Sequence, residues 1–119
     1  PNAKIYGADI VPEAMFTDER ITTFYCNETK EADIRKLIDS TGPDIDIVID
    51  DAWHYPPAQI FLAKTLMPLL NKGVTYFIED CKRVGKIIIS FPEYNCFTPK
   101  LIPNENPLCG DGFVVIEHI

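Results

Sequence analysis

Ile45–Asp50 reads IDIVID and runs into Asp51; Val74–Ile78 reads VTYFI and runs into Glu79-Asp80. Both are short, nearly continuous apolar runs rich in β-branched and aromatic residues, the pattern of strands buried on both faces of a parallel sheet. Between them, Gln59–Leu70 places Ile60, Phe61, Leu66, Met67, Leu69 and Leu70 mostly on one side of a helix. Pro56-Pro57 suits the loop and first turn of that helix, and Asn71-Lys72-Gly73 suits its end. The unit is strand, helix, strand, and it requires a right-handed crossover between parallel neighbours.

The flanking sequence continues the alternation. Lys4–Ile10 (KIYGADI) is β-rich and stops at Val11-Pro12, and Ile21–Cys26 (ITTFYC) predicts a second short strand. Glu31–Ser40 carries Ile34, Leu37 and Ile38 at helical spacing, with Thr29 available as a cap and Thr41-Gly42-Pro43 as a breaker. Lys86–Ser90 (KIIIS) predicts a fifth strand. Phe91–Asp111 holds four of the ten prolines and predicts a long loop, and Phe113–Glu117 (FVVIE) predicts a last strand. The expected architecture is one α/β domain over residues 1–119, layered and mostly parallel. The last two strands form an antiparallel pair at its C-terminal edge.

Eleven Lys and Arg against eighteen Asp and Glu give a net charge of −7 in 119 residues. That balance argues against nucleic acid or an anionic membrane as the main partner and leaves room for a divalent cation. The longest apolar runs fall far short of the roughly 18 residues of a membrane span. Cys26, Cys81, Cys96 and Cys109 contain no C-x-x-C pair, and free buried thiols in a reducing cytoplasm are expected over a disulfide framework. The chain begins at Pro1 without a charged-then-apolar leader, which reads as a processed product or a piece of something longer.

In an open α/β sheet, ligands gather beyond the carboxyl ends of the strands. Three of the expected strands end in acids, at Asp9, Asp50-Asp51 and Glu79-Asp80, and Asn27-Glu28-Thr29 follows another. Carboxylates crowded on one rim repel unless a cation joins them. A Mg²⁺-type ion, which takes oxygen ligands at about 2.1 Å, resolves the conflict. His54 follows Asp51 by three residues, and histidine is the natural general base near neutral pH. Taken singly, each acid is as well explained as a helix cap or solvated loop residue, His54 as a loop histidine and Trp53 as a packing or rim residue. The joint pattern points to function; His118 receives no role.

The stretch from Ile49 to Asp80, IDDAWH–x–PP…LMPLLNKGVTYFIED, resembles class I S-adenosylmethionine-dependent O-methyltransferases. More narrowly it resembles the metal-dependent macrocin/mycinamicin sugar O-methyltransferases and the cephalosporin hydroxylase/rhamnosyl O-methyltransferase group. Their signature is Asp-Asp-Gly-Ser-His, a helix, a Gly-Gly turn and a strand ending Glu-Asp. Asp50-Asp51-Ala52-Trp53-His54 and Gly73 to Asp80 stand at those places, with Ala-Trp replacing Gly-Ser and one glycine of the pair retained. The resemblance implies a three-layer Rossmann-like methyltransferase sheet, truncated at its N-terminus so that the first strand and Gly-rich loop are lacking. It implies Asp51, Glu79 and Asp80 as Mg²⁺ ligands and His54 as the catalytic base. It also implies Asp9, Asn27, Glu28 and Asp50 as contacts to S-adenosylmethionine.

The leading expectation is therefore metal-assisted transfer of a methyl group to a hydroxyl of a small molecule, a sugar for example. A non-catalytic methyltransferase-like binding or assembly module, with a homodimer formed at an open strand edge, is the alternative. A metal-dependent hydrolase using the same acidic rim is the third.

Overall fold

A computed structural model of the chain describes residues 2–99 and 112–119. In chain order the elements are β1 (Ile5–Asp9), β2 (Thr17–Asp18), β3 (Ile21–Tyr25), α1 (Glu31–Thr41), β4 (Ile47–Asp50) and α2 (Pro56–Leu66). There follow β5 (Thr75–Cys81), α3 (Val84–Ile89), β6 (Asn95–Phe97) and β7 (Gly112–Glu117). The described strands form two sheets, ordered β1-β3-β2 and β4-β5-β7-β6. Pairing is parallel at β1/β3 and β4/β5 and antiparallel at β2/β3, β5/β7 and β6/β7. This is a mixed, Rossmann-like α/β architecture with an antiparallel C-terminal edge pair.

The core lies on one face of the four-stranded sheet. Tyr76 and Ile78 of β5 and Val114 and Ile116 of β7 alternate inward and are fully buried. Leu62, Ala63 and Leu66 of α2, Ile87 of α3 and Ile34 of α1 complete one continuous apolar cluster with them. Each such side chain withdrawn from water contributes about 1.5–3 kcal/mol, which is what holds the helices to the sheet. In α1 the predicted face is the packed one: Ile34 is buried, with Leu37 and Ile38 against the cluster.

Several elements differ from the sequence reading. KIIIS belongs to helix α3, not to a strand. Val84, Ile87 and Ile88 lie at i, i+3, i+4 and turn one stripe inward, while Ile89 is left exposed, so tertiary packing outweighs β-propensity. The segment read as loop contains β6, which pairs with β7 and makes the antiparallel edge that Lys86–Ser90 was expected to supply. Residues 100–111 of that predicted loop, Cys109 among them, lie outside the described residues. Helix α2 ends at Leu66 and passes into a 3₁₀ turn over Met67–Leu69, because Pro68 has no N–H to continue an α-helical ladder. Thr29 does not cap α1; the residue at that position is Lys30, and Thr29 instead donates its hydroxyl to Asn27 Oδ1. Strand β4 is not buried on both faces: Ile47 and Ile49 are 60% and 63% exposed. Cys26 and Cys96 are free thiols, as expected.

Among the described residues, the two sheets do not join. β1 and β4 face one another across a cleft of about 1050 Å³, floored by Leu62, Leu66 and Tyr76. Among the described residues, neither strand has a pairing partner on the edge that faces the other. Among the described residues, too, no helix is long and apolar enough to cross a membrane.

Candidate active site

The carboxyl ends of β4 and β5 lie side by side because those strands are parallel and in register, Asp50 opposite Ile78. Asp51 leaves the end of β4, and the tight stretch before α2 brings His54 back over it. His54 Nε2 stands 3.2 Å from Asp51 Oδ1 and 3.5 Å from Asp80 Oδ2. Asp80 reaches this point through a local irregularity. The β5/β7 register slips between Ile78 and Cys81, and Asp80 has φ +50°. A β-bulge of this kind re-aims a side chain, and aspartate is among the few residues that enter the left-handed region readily.

Ligand atoms of Asp51, His54 and Asp80 all lie within 4.8 Å of one another. Neighbouring ligands in an octahedron around a Mg²⁺-sized ion are about 3 Å apart and opposite ones about 4.2 Å. Two carboxylate oxygens at these separations suit a divalent cation such as Mg²⁺ or Mn²⁺, with the His54 imidazole beside them. All three residues remain accessible to solvent, so an ion has an entry path.

Asp50 is a different kind of acid. It is 4% exposed, and burial pushes its carboxyl up to about 6. Hydrogen bonds from the Ala52 N–H (3.3 Å) and the Tyr76 hydroxyl (3.4 Å) act against burial, and Glu28 adds a smaller upward push. Tyr76, fully buried, is pushed upward by burial and by Asp50. This pair forms the inner wall of the cleft.

Of the residues singled out from the sequence, Asp9, Glu28, Asp50 and Asp51 line the one cleft. Asp9 Oδ1 accepts the Val11 N–H at 2.9 Å. Asn27 does not line the cleft; its Oδ1 is taken by the backbone and hydroxyl of Thr29. Glu79 is half-buried and lies outside the Asp51–His54–Asp80 group.

Two features escaped the sequence reading. Gln59, 2% exposed, donates its Nε2 to the Glu79 carbonyl at 3.1 Å, tying the first turns of α2 to the end of β5. Its signal was an amide at a core-facing position of an apolar helix. Trp53 and Tyr55 form a ring pair with centroids 4.9 Å apart.

No protein-family profile matches the chain. Over 76 residues it is 38% identical to 8-demethyl-8-alpha-L-rhamnosyl tetracenomycin-C 2'-O-methyltransferase of Streptomyces olivaceus, covering 64% of this chain and 20% of that protein. Over 80 residues it is 34% identical to 8-demethyl-8-(2-methoxy-alpha-L-rhamnosyl)-tetracenomycin-C 3'-O-methyltransferase of the same organism, covering 67% and 20%. The MycE methyltransferase of the mycinamycin biosynthetic pathway, solved with Mg, SAH and mycinamycin VI, superposes with a TM-score of 0.71 at 19% identity. That match covers 97% of this chain and 36% of the other. The chain has the class I methyltransferase fold. Its sequence is similar to rhamnosyl O-methyltransferases, as the Asp-Asp-x-x-His motif implied. This methyltransferase-like chain spans about a fifth of the length of the curated relatives it matches.

Proposed function

We propose that the chain is the part of an S-adenosylmethionine-dependent, metal-assisted O-methyltransferase that holds the acceptor and its proton acceptor, with a small hydroxylated molecule such as a sugar as substrate. The convergence of Asp51, His54 and Asp80 on one point carries this reading. The similarity to enzymes named for methyl transfer to rhamnosyl oxygens supports it.

Asp51, Asp80 and the neighbouring Glu79 would hold the cation. A bound divalent cation supplies Lewis acidity that lowers the proton affinity of the acceptor hydroxyl. His54 is positioned to take that proton at Nε2. S-adenosylmethionine, when bound, would supply the methyl group to that oxygen, its sulfonium becoming a neutral thioether. In-line attack depends on fixed placement of both reactants, and such placement contributes several orders of magnitude in rate. Asp9 and Glu28 offer acceptors for ribose hydroxyls along the cleft, and Asp50 stands at its inner wall. The thiols of Cys26 and Cys96 support a reducing, cytoplasmic setting.

The test is calorimetry on the folded chain. Mg²⁺ or Mn²⁺ should bind with an affinity that Asp51→Asn and Asp80→Asn each lower at least tenfold, with Glu79→Gln less severe. S-adenosylmethionine should give a separate heat. Silence with both ligands on well-folded protein would overturn the enzymatic reading.

The open edges of β1 and β4 support a second reading, a methyltransferase-like module that assembles through them. Light scattering separates the two: a strict monomer at high concentration removes the assembly version.

A further inference from the structure

Trp53 lines the cleft and the Tyr55 ring packs beside it, the two residues being 58% and 47% exposed. Two exposed aromatic rings cost apolar hydration unless something covers them. With centroids 4.9 Å apart and planes tilted by 34°, the rings lean on one another as an offset pair, and their uncovered surfaces form a small apolar plate. The plate is held by backbone. The Tyr55 N–H donates to the Trp53 carbonyl at 2.7 Å, closing a tight turn. Tyr55 precedes Pro56 and adopts the extended conformation that a following proline imposes, φ −109° and ψ 115°. Trp53 lines the same cleft as Asp51, and His54 lies between the two rings in sequence.

An apolar plate beside carboxylates and an imidazole has the complementary chemistry of a pyranose ring. Such a ring presents C–H groups on a face and hydroxyls at its rim. We propose that Trp53 and Tyr55 are the acceptor platform, taking the apolar face of a sugar, preferentially a deoxysugar, while its rim hydroxyl points to the Asp51–His54–Asp80 group. This deepens the methyl-transfer reading and rests on it for the acceptor class. It is also particular to this chain, since Trp53 occupies a place where the resembled signature has serine.

Trp53 is the single tryptophan, so its emission reports the plate directly. The full chain, saturated with Mg²⁺, is titrated with methyl α-L-rhamnopyranoside, and with glycerol as a polyol lacking a ring face. The sugar should move the emission to shorter wavelength and glycerol should not. By calorimetry, Trp53→Ala should weaken rhamnoside binding about tenfold, the scale of a lost ring contact, and Tyr55→Leu less. Trp53→Phe, which keeps a ring, should stay within about threefold of the parent. Mg²⁺ affinity should be the same in all of them, because neither ring is a ligand. The platform is overturned if Trp53→Ala binds the sugar like the parent, if the emission stays fixed while calorimetry shows saturation, or if the parent binds no rhamnoside. Mg²⁺ titrated alone decides the cation reading separately: heat there, with no role for Trp53, removes the platform and leaves the metal site standing.

Discussion

The Gln59 side chain, buried in the first turns of α2, donates its Nε2 to the carbonyl oxygen of Glu79 at 3.1 Å. The contact crosses from helix to strand one residue before Asp80, and Gln59 Oε1 has no hydrogen-bond partner although it is buried. Gln59→Leu should change global stability by less than about 1 kcal/mol. The lost hydrogen bond is offset by removing an unmatched acceptor from the core. Mg²⁺ affinity should nevertheless fall several-fold, because the bulge that aims Asp80 loses its tether. Chemical denaturation beside metal calorimetry checks this; equal losses in both would make Gln59 a general packing residue.

Asp80 occupies a backbone conformation that costs most side chains about 1–3 kcal/mol. Asp80→Asn should keep the fold, since asparagine tolerates a positive φ, while Asp80→Val should lower the urea midpoint markedly. Asp80→Gly should be at least as stable as the parent yet bind metal as poorly as Asp80→Asn. If valine were tolerated as well as asparagine, the local conformation would carry no strain.

The Asp50 carboxyl, held near 6 by burial against an ordinary 3.8, makes stability depend on pH with a definite sign. The native state keeps its proton more tightly than the unfolded chain does. Its contribution is therefore complete below about pH 4, declines as pH rises, and is lost above about pH 6. Asp50→Asn retains an acceptor for the Ala52 N–H, can turn its amide N–H to the Tyr76 oxygen and has no charge to bury. In chelator, it should flatten the decline relative to the parent and gain up to roughly 2–3 kcal/mol at pH 7.5. Parallel curves for the two proteins would remove Asp50 as the source.

Cys26 and Cys96 are both pushed up to about 11, chiefly by burial, with Asp33 and Glu28 adding to the effect at Cys26. Only the thiolate reacts with iodoacetamide, and near pH 8 it is about one molecule in a thousand at such a site. Labelling of these two residues, followed by peptide mass spectrometry, should be negligible at pH 7.5 and rise roughly a hundredfold by pH 9.5. Fast labelling of Cys26 at neutral pH would mean that the α1 side of the core opens.

The strand-helix-strand unit from Ile45 to Asp80 was legible because its apolar residues keep period long enough to tell strand from helix. Lys86–Ser90 was not, since a run of three isoleucines has no period, and only contact with α2 and β7 turns it into α3. Asn95–Phe97 is too short to announce itself and forms only by lying against β7. In the site, Asp51 and His54 could be placed together from their spacing. The turn that brings Asp80 to them is created by a register slip between two strands, which leaves no trace in local sequence. Asn27 was chosen for its place after a strand, and its amide is spent on the Asn27–Thr29 turn.

The separated sheets bear on how this polypeptide behaves in the tube. Among the described residues, the facing sides of Ile5–Asp9 and Ile47–Asp50 carry amides and carbonyls unmet by neighbouring strands, with isoleucines beside them, and such edges are natural templates for intermolecular zippering. The shared net charge of −7 opposes such contact, a long-range repulsion that ordinary saline shortens to about 8 Å. Dilute, low-salt buffers should therefore preserve dispersed material, and raising ionic strength should drive it toward clustering.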